Sequence, residues 1–257
     1  MRDSPRNDNA ALPPFYKINA MNNKKLALWD RFCKEHEIGE TGVPLFACDA
    51  AARVACAPFG KDGRLILRRS AEMEALMVRE AGRVIAQGDN RSEGLLYMMH
   101  WREESGRIVP LYIGRAGRYG KGGGNISVNL LGLEKDTSKF GRWGSGYAYH
   151  IGDLSAAACL GHGSKKIVGK YRRWAQRLFF DAPALMPTLR RPVFFWATAW
   201  SSESYNIWQD FGPCFLSFEE YLLIGVASEL FPDILLNDEG VNRPSSTAEL
   251  YFPCIKK

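Results

Sequence analysis

The sequence predicts an α/β fold in which a small sheet is flanked by helices. Residues 94–114 resemble two short strands joined by a polar turn, in which Gly106 can adopt a positive φ. Residues 191–200 have the apolar content of a central strand, and helical patterns cover residues 71–87 and 164–180. Strands and helices therefore alternate along most of the chain.

The composition argues against a membrane protein and against an exported one. A chain of 257 residues can form one large core, or a catalytic module with an extension. No apolar run approaches the roughly 18 residues of a membrane span, and the polar, proline-containing N-terminus lacks the apolar centre of a secretion signal. The six cysteines contain no CxxC pair, and the lone CxxH at Cys159–His162 is expected to be structural. A cytoplasmic location is predicted.

Positive charge is concentrated in the middle of the chain. Residues 91–180 contain fifteen Lys and Arg against six Asp and Glu, whereas the whole chain carries a net charge of +6. A basic segment of this kind is typical of a surface that binds a polyanion. A solvated surface that is simply basic is the alternative.

The first 90 residues contain no recognisable chemical motif. A helix is predicted over residues 25–38, and Ser70 is a suitable N-cap for the helix at 71–87. Residues 1–90 are therefore interpreted as an N-terminal extension, helical in part, that supports the rest of the protein or recognises DNA. Residues 91–257 are interpreted as the domain that carries the chemistry.

A glycine-rich basic run, residues 115–124, follows the hairpin. It lacks the spacing of a P-loop and does not open a helix, so a nucleotide site is not predicted. A loop that contacts a DNA backbone is the preferred interpretation, with an ordinary loop as the alternative. Its candidate phosphate contacts are Arg115, Arg118 and Lys121.

The helix predicted at residues 164–180 carries two rows of residues at helical spacing. The apolar row predicts burial against a sheet, and the basic row beside it predicts DNA contact because the helix itself contains no acidic residue. The apolar row is Ile167, Tyr171, Trp174 and Leu178, and the basic row is Lys166, Lys170, Arg173 and Arg177.

A further helix is predicted from Ser217 to Pro232, and Glu220 lies in its first turn. Ser217 followed three residues later by Glu220 fits a capping box, which would explain the glutamate by local structure alone. The wider order of residues along the chain suggests a catalytic role as well.

The two hairpin strands contain GLLY and LYIG, which resemble the paired signature of the GIY-YIG endonucleases. The resemblance covers about residues 94–237. Later positions follow the order of that family: an arginine and a histidine, then a glutamate on a helix, then an asparagine beyond a proline. The matching residues are Tyr97, Tyr112, Arg142, His150, Glu220 and Asn237.

The resemblance implies a three-stranded, mainly antiparallel central sheet and metal-dependent hydrolysis of DNA. It implies that Glu220 holds one Mg²⁺ or Mn²⁺. It implies that Tyr97 or Tyr112 helps to activate water, assisted by His150 or Lys121, because a free tyrosine has a pKa of about 10. It implies that Arg142, or instead Arg115 or Arg118, stabilises the negative charge on the phosphate. It also implies that Asn237 orients the glutamate or a phosphate.

The length of the chain and its N-terminal extension favour a type II restriction endonuclease that acts on double-stranded DNA as a homodimer or a transient homotetramer. A structure-specific repair or mobile-element nuclease is one alternative. A catalytically inactive DNA-binding protein on the same scaffold is another.

Overall fold

The computed structural model describes residues 20–86, 92–118, 149–164, 167–209 and 212–241. Their main element is an antiparallel sheet of four strands. In spatial order the strands are β1 (Val43–Pro44), β6 (Phe194–Ser201), β4 (Ser92–Arg102) and β5 (Ile108–Gly117). A separate two-stranded hairpin consists of β2 (Cys56–Phe59) and β3 (Arg64–Leu67).

Helices cover both faces of the four-stranded sheet. None of the helices in these ranges is both long enough and apolar enough to span a membrane. They are α1 (Ala20–Glu35), α2 (Ile38–Thr41), α3 (Ala71–Ala86), α4 (Tyr149–Ala158), α5 (Gly169–Leu178) and α6 (Leu216–Leu230).

In the hairpin of β4 and β5, β4 lies inside the sheet and β5 forms one of its edges. Gly106 lies in the connecting turn with φ 84°, a value that glycine adopts at little cost. Tyr97 is paired with Gly114 across the two strands, and Met99 is paired with Tyr112. The two tyrosines therefore lie on adjacent strands, separated by one intervening residue pair.

Alternating residues of β4 bury themselves in two different cores, as the period of a strand requires. Tyr97 and Met99 join the core under α3, α4 and α5, whereas Leu96 and Met98 join the core under α1 and α6. Trp29 of α1 is fully buried in the second core. The segment before residue 90 thus packs on both faces of the sheet, and it also supplies β1.

The predicted α/β class, with a mainly antiparallel sheet flanked by helices, is confirmed. The sheet has four strands where three were expected, because Val43 and Pro44 add a short edge strand beside Phe195 and Phe194. Proline suits that position because an edge strand does not need every N–H for pairing.

Three predicted helix boundaries are wrong. The helix expected from residue 164 begins at Gly169, because Val168 is extended with φ −79° and ψ 138°. The helix expected to run to Ile38 ends at Glu35, and Ile38 opens α2. The capping box at Ser217 is absent, since α6 begins one residue earlier at Leu216 without a side-chain cap from its N-cap residue.

Candidate active site

The two hairpin tyrosines come together because a glycine makes room for one of them. A Cβ atom at Gly114 would lie 2.7 Å from the ring of Tyr97, closer than real Cβ contacts allow. The ring centroids of Tyr97 and Tyr112 are 6.4 Å apart. Tyr97 is only 6% exposed, whereas Tyr112 lines an open cleft.

The first turn of helix α6 is held by a glutamate from another part of the chain. The backbone N–H of Leu216 donates a hydrogen bond to the carboxylate of Glu93 at 2.6 Å.

Helix α6 presents two adjacent glutamates, Glu219 and Glu220, to different surroundings. Glu219 is fully buried and accepts from the backbone N–H of Ile207 at 3.2 Å. Glu220 faces the cleft instead. Of the two carboxylates, only that of Glu220 lines the cleft.

An ion pair joins this helix to the hairpin. Arg115 Nε donates to Glu220 Oε2 at 2.7 Å. Burial raises the pKa of Glu220 above its ordinary value, and the charge and hydrogen bonds of Arg115 oppose that rise. The carboxylate of Glu220 is therefore partly desolvated, and the neighbouring cation favours its charged form.

The cleft beside this pair has a volume of about 430 Å³. It brings together residues that are far apart in the sequence, from β5, α5, α6 and the segment after α6. Its lining consists of Tyr112, Lys170, Ser217, Glu220, Tyr221, Ile224, Asn237, Asp238, Glu239 and Gly240. Three of the six predicted catalytic residues, Tyr112, Glu220 and Asn237, thus meet at one cleft.

His150 and the tyrosines are uncharged near neutral pH. Burial and then the charge of Lys170 lower the pKa of His150 to about 3. Burial and then the charge of Glu220 raise the pKa of Tyr112 to about 12. Burial raises the pKa of Tyr97 well above its ordinary value of 10. His150 is therefore not the cationic helper expected for a tyrosine base.

His150 instead belongs to an aromatic cluster behind Tyr112. Its ring stacks on Trp174 with centroids 5.3 Å apart, and its Nδ1 lies 3.0 Å from the hydroxyl of Tyr171. Its centroid lies 4.8 Å from that of Tyr112. Lys170 Nζ lies 5.0 Å from the Tyr112 ring centroid, within reach of a cation–π contact. The cluster fixes the orientation of Tyr112 and places a cation beside it.

Asn237 is held by the backbone of β5. Its Oδ1 accepts from the N–H of Ile113 at 3.0 Å, and its Nδ2 donates to the carbonyl of Ile113 at 2.8 Å. The side chain is almost fully buried. Asn237 therefore anchors to β5 the segment that carries Asp238 and Glu239 into the cleft.

The basic row on α5 is largely engaged within the protein. Arg173 pairs with Asp238, and Arg177 donates to the backbone carbonyl of Asp233. Asp238, in the segment after α6, thus supplies a carboxylate that the helix itself lacks. Of the basic residues predicted here, Lys170 reaches the cleft.

Two arginines of the glycine-rich run have different surroundings. Arg118 is 6% exposed, and its Nη1 donates to the carbonyl of Val84 at 3.4 Å. Arg115 is more exposed and reaches Glu220. Arg142, Lys121 and Lys166 lie outside the residues that the structure describes.

Asp238, Glu239 and Tyr221 also line the cleft, and none of them was predicted as a site residue from the sequence. The two acidic residues directly follow Asn237, and Tyr221 directly follows Glu220. In the sequence, the one sign that these three residues belong to the cleft is their position next to predicted site residues.

Comparisons with known proteins add no relative. No protein-family model, no curated protein and no solved structure matches the chain.

Proposed function

We propose that this protein is a divalent-metal-dependent endonuclease that hydrolyses DNA phosphodiester bonds. One observation carries the proposal: Tyr112 lies more than a hundred residues before Glu220 and Asn237 in the chain, yet all three line one cleft. These are three of the positions on which the resemblance to GIY-YIG endonucleases rests. Arg115, on the same strand as Tyr112, adds a guanidinium at the carboxylate of Glu220.

The residues of the cleft fit a magnesium or manganese ion held by few protein ligands. Mg²⁺ commonly binds one or two carboxylates and keeps water and substrate phosphate as its other ligands. Within the described ranges no group of three His, Cys, Asp or Glu side chains is arranged as a metal cage. Glu220 is the ligand that we assign, since its partly desolvated carboxylate already faces a cation. The ion would supply Lewis-acid stabilisation of the charge on the reacting phosphate.

Arg115 is the residue placed to recognise the phosphate itself. A guanidinium can donate two parallel hydrogen bonds to the non-bridging oxygens on which negative charge builds up. To do so it must leave Glu220, which then becomes available to the ion. Arg142, which the resemblance assigns to this role, remains a prediction.

Tyr112 acts as a neutral hydroxyl in this proposal. With a pKa of about 12 it carries its proton at neutral pH, so it can accept a hydrogen bond from water and pass its own proton on. Lys170 lies against its ring and would favour the phenolate as charge develops. Tyr97 packs behind it and supports its position.

The class of nuclease that we favour is a type II restriction endonuclease that acts on double-stranded DNA. Two protein chains would each cut one DNA strand. A structure-specific repair or mobile-element nuclease would use the same cleft. An inactive DNA-binding protein would have no need of a carboxylate held at the cleft by Arg115.

Incubation of supercoiled plasmid DNA with the protein and Mg²⁺ or Mn²⁺, followed by sequencing of the new ends, tests the proposal. We expect cleavage that a metal chelator abolishes and that the Glu220→Gln variant lacks. Discrete, repeatable ends support restriction, whereas cuts that follow DNA structure support the repair class. Equal absence of cleavage by wild type and variant with either ion, while DNA is bound, would assign the inactive class instead.

A further inference from the structure

Two thiols lie close together outside the candidate active site. Cys56 on β2 and Cys159, which directly follows α4, place their Sγ atoms 3.7 Å apart. They are 103 positions apart in the chain. Cys56 is partly exposed, whereas Cys159 is buried.

The segments that carry these thiols are held together by ordered contacts. The backbone N–H of Leu67 on β3 donates to Ser155 Oγ of α4 at 3.0 Å. His162 Nε2 lies 2.7 Å from the carbonyl oxygen of Leu65 on the same strand. The approach of the two sulfurs therefore follows from the packing of the β2–β3 hairpin against the end of α4.

We propose that Cys56 and Cys159 form an oxidation site that closes to an intramolecular disulfide in the folded protein. A disulfide has an S–S distance of about 2.05 Å, so the sulfurs must approach by about 1.7 Å. Rotations about the side-chain bonds of the two residues would achieve this, because the two sulfurs are already within hydrogen-bonding distance.

The reaction is a thiol–disulfide exchange with a small-molecule disulfide as oxidant. The Cys56 thiolate attacks one sulfur of the oxidant, whose S–S bond breaks and releases one small thiol. Cys159 then loses its proton and attacks the Cys56 sulfur of the mixed disulfide, which releases the second small thiol. Two protein thiols are oxidised, and one small disulfide is reduced to two thiols.

The surroundings assign the order of these two steps. Cys56 is the more accessible sulfur, and its hydrogen bond with the Cys159 thiol lowers its pKa. The same hydrogen bond, together with burial, raises the pKa of Cys159. Cys56 is therefore the attacking thiol, and Cys159 is the resolving one.

The cross-link would tie the β2–β3 hairpin to the end of α4. It would close a loop of about a hundred residues in the unfolded chain, which lowers the entropy of that state and so stabilises the folded one. This inference is independent of the proposed nuclease activity, because neither cysteine lines the cleft.

The test is to equilibrate the full-length chain with oxidised and reduced glutathione, block free thiols and map the peptides by mass spectrometry. We expect one peptide pair joined through Cys56 and Cys159, two hydrogen masses lighter than the free peptides. The oxidised protein should keep its circular dichroism spectrum and unfold at a higher temperature than the reduced protein.

Matched variants complete the test. Cys48→Ser removes an exposed thiol near the same hairpin and should leave both the cross-link and the thermal shift unchanged. Cys56→Ser should abolish both, while the reduced forms of the two variants unfold alike. A mixed disulfide that persists on Cys56, a cross-link between other cysteines, or a lower unfolding temperature after oxidation would overturn the proposal.

Discussion

Arg115 and Glu220 lie 105 positions apart in the chain and form an ion pair at the rim of the cleft, with Nε and Oε2 separated by 2.7 Å. Each group satisfies the charge of the other. Binding of a phosphate to Arg115 and of a cation to Glu220 therefore requires the pair to separate, and both new interactions must offset that loss. This exchange links recognition of the substrate to recruitment of the ion. The roles of the two residues can therefore be tested by separate variants.

The adjacent glutamates of α6 should give opposite phenotypes. Glu220→Gln should abolish cleavage while DNA binding persists, because the amide cannot hold the ion as a carboxylate does. Glu219→Gln should leave cleavage per folded molecule nearly unchanged. At about pH 5, where Glu219 is protonated, it should lower the free energy of unfolding by about 1–3 kcal/mol, since the buried carboxyl group accepts a hydrogen bond from the N–H of Ile207. Cleavage kinetics and denaturant unfolding of both variants are the measurements. An inactive, stable Glu219→Gln together with an active Glu220→Gln would reverse the assignment.

Glu219 should also make stability depend on pH. Burial raises its pKa from 4.5 to about 7, so the folded state holds the proton more tightly than the unfolded state. The stabilisation is complete below about pH 4.5 and is lost as pH rises towards 7, with a total of about 3 kcal/mol. The difference between the unfolding free energies of wild type and Glu219→Gln, measured from pH 4 to pH 8, isolates this effect. A difference that stays constant over that range would show that the carboxyl is not perturbed.

Arg115 lies on β5 and Arg118 lies just beyond it, so variants of the two residues can be compared directly. Arg115→Gln should weaken DNA binding and reduce the slope of log affinity against log salt by about 0.9, the value for one phosphate contact. Arg118→Gln should leave that slope unchanged and instead lower stability by about 1–3 kcal/mol, because its buried side chain bonds to the carbonyl of Val84. Binding titrations at several salt concentrations, with thermal unfolding as the control, separate the two. Equal salt slopes for wild type and Arg115→Gln would remove Arg115 from the DNA-binding surface.

Features determined by short stretches of sequence were predictable here. The β4–β5 hairpin follows from two apolar runs around Gly106, and the start of α3 follows from Ser70, whose Oγ accepts from the N–H of Met73 at 2.9 Å. The start of α6 was not predictable from local sequence. There, Glu93 from another part of the chain accepts a hydrogen bond from the N–H of Leu216, so the local match of Ser217 to a capping box was misleading.

The chemistry of the site was only partly predictable for the same reason. The sequence shows that α5 is basic and has no acidic residue of its own. It does not show that Asp238 pairs with Arg173 or that Glu220 pairs with Arg115, because each pair joins segments more than sixty residues apart. Ion pairs of this kind depend on tertiary packing, and they decide which cations remain available to a substrate.

Asn237 should act through the fold of the cleft. Asn237→Ala removes both hydrogen bonds to the buried backbone of Ile113 and should lower the free energy of unfolding by about 2–3 kcal/mol. Asn237→Asp keeps the acceptor and loses the donor, so it should fall between wild type and Asn237→Ala. Both variants should cleave more slowly, because Asp238 and Glu239 lose their anchor. An unfolding free energy equal to that of wild type in Asn237→Ala would show that this anchor contributes nothing to the fold.

The two tyrosines test the hairpin on which the proposed function depends. Phenylalanine at either position keeps the ring and its packing and removes one hydroxyl. Tyr112 lines the cleft beside Lys170, so Tyr112→Phe should slow single-turnover cleavage by about 10²- to 10⁴-fold, the usual contribution of a general acid or base. Tyr97 is buried behind it, so Tyr97→Phe should affect cleavage less while the fold stays intact. Because burial raises the pKa of Tyr112 to about 12, the wild-type rate should keep rising with pH above neutrality, and this rise should vanish in Tyr112→Phe. Wild-type rates in both folded variants would mean that the hairpin tyrosines are packing residues and that the resemblance to the nuclease signature has no catalytic meaning.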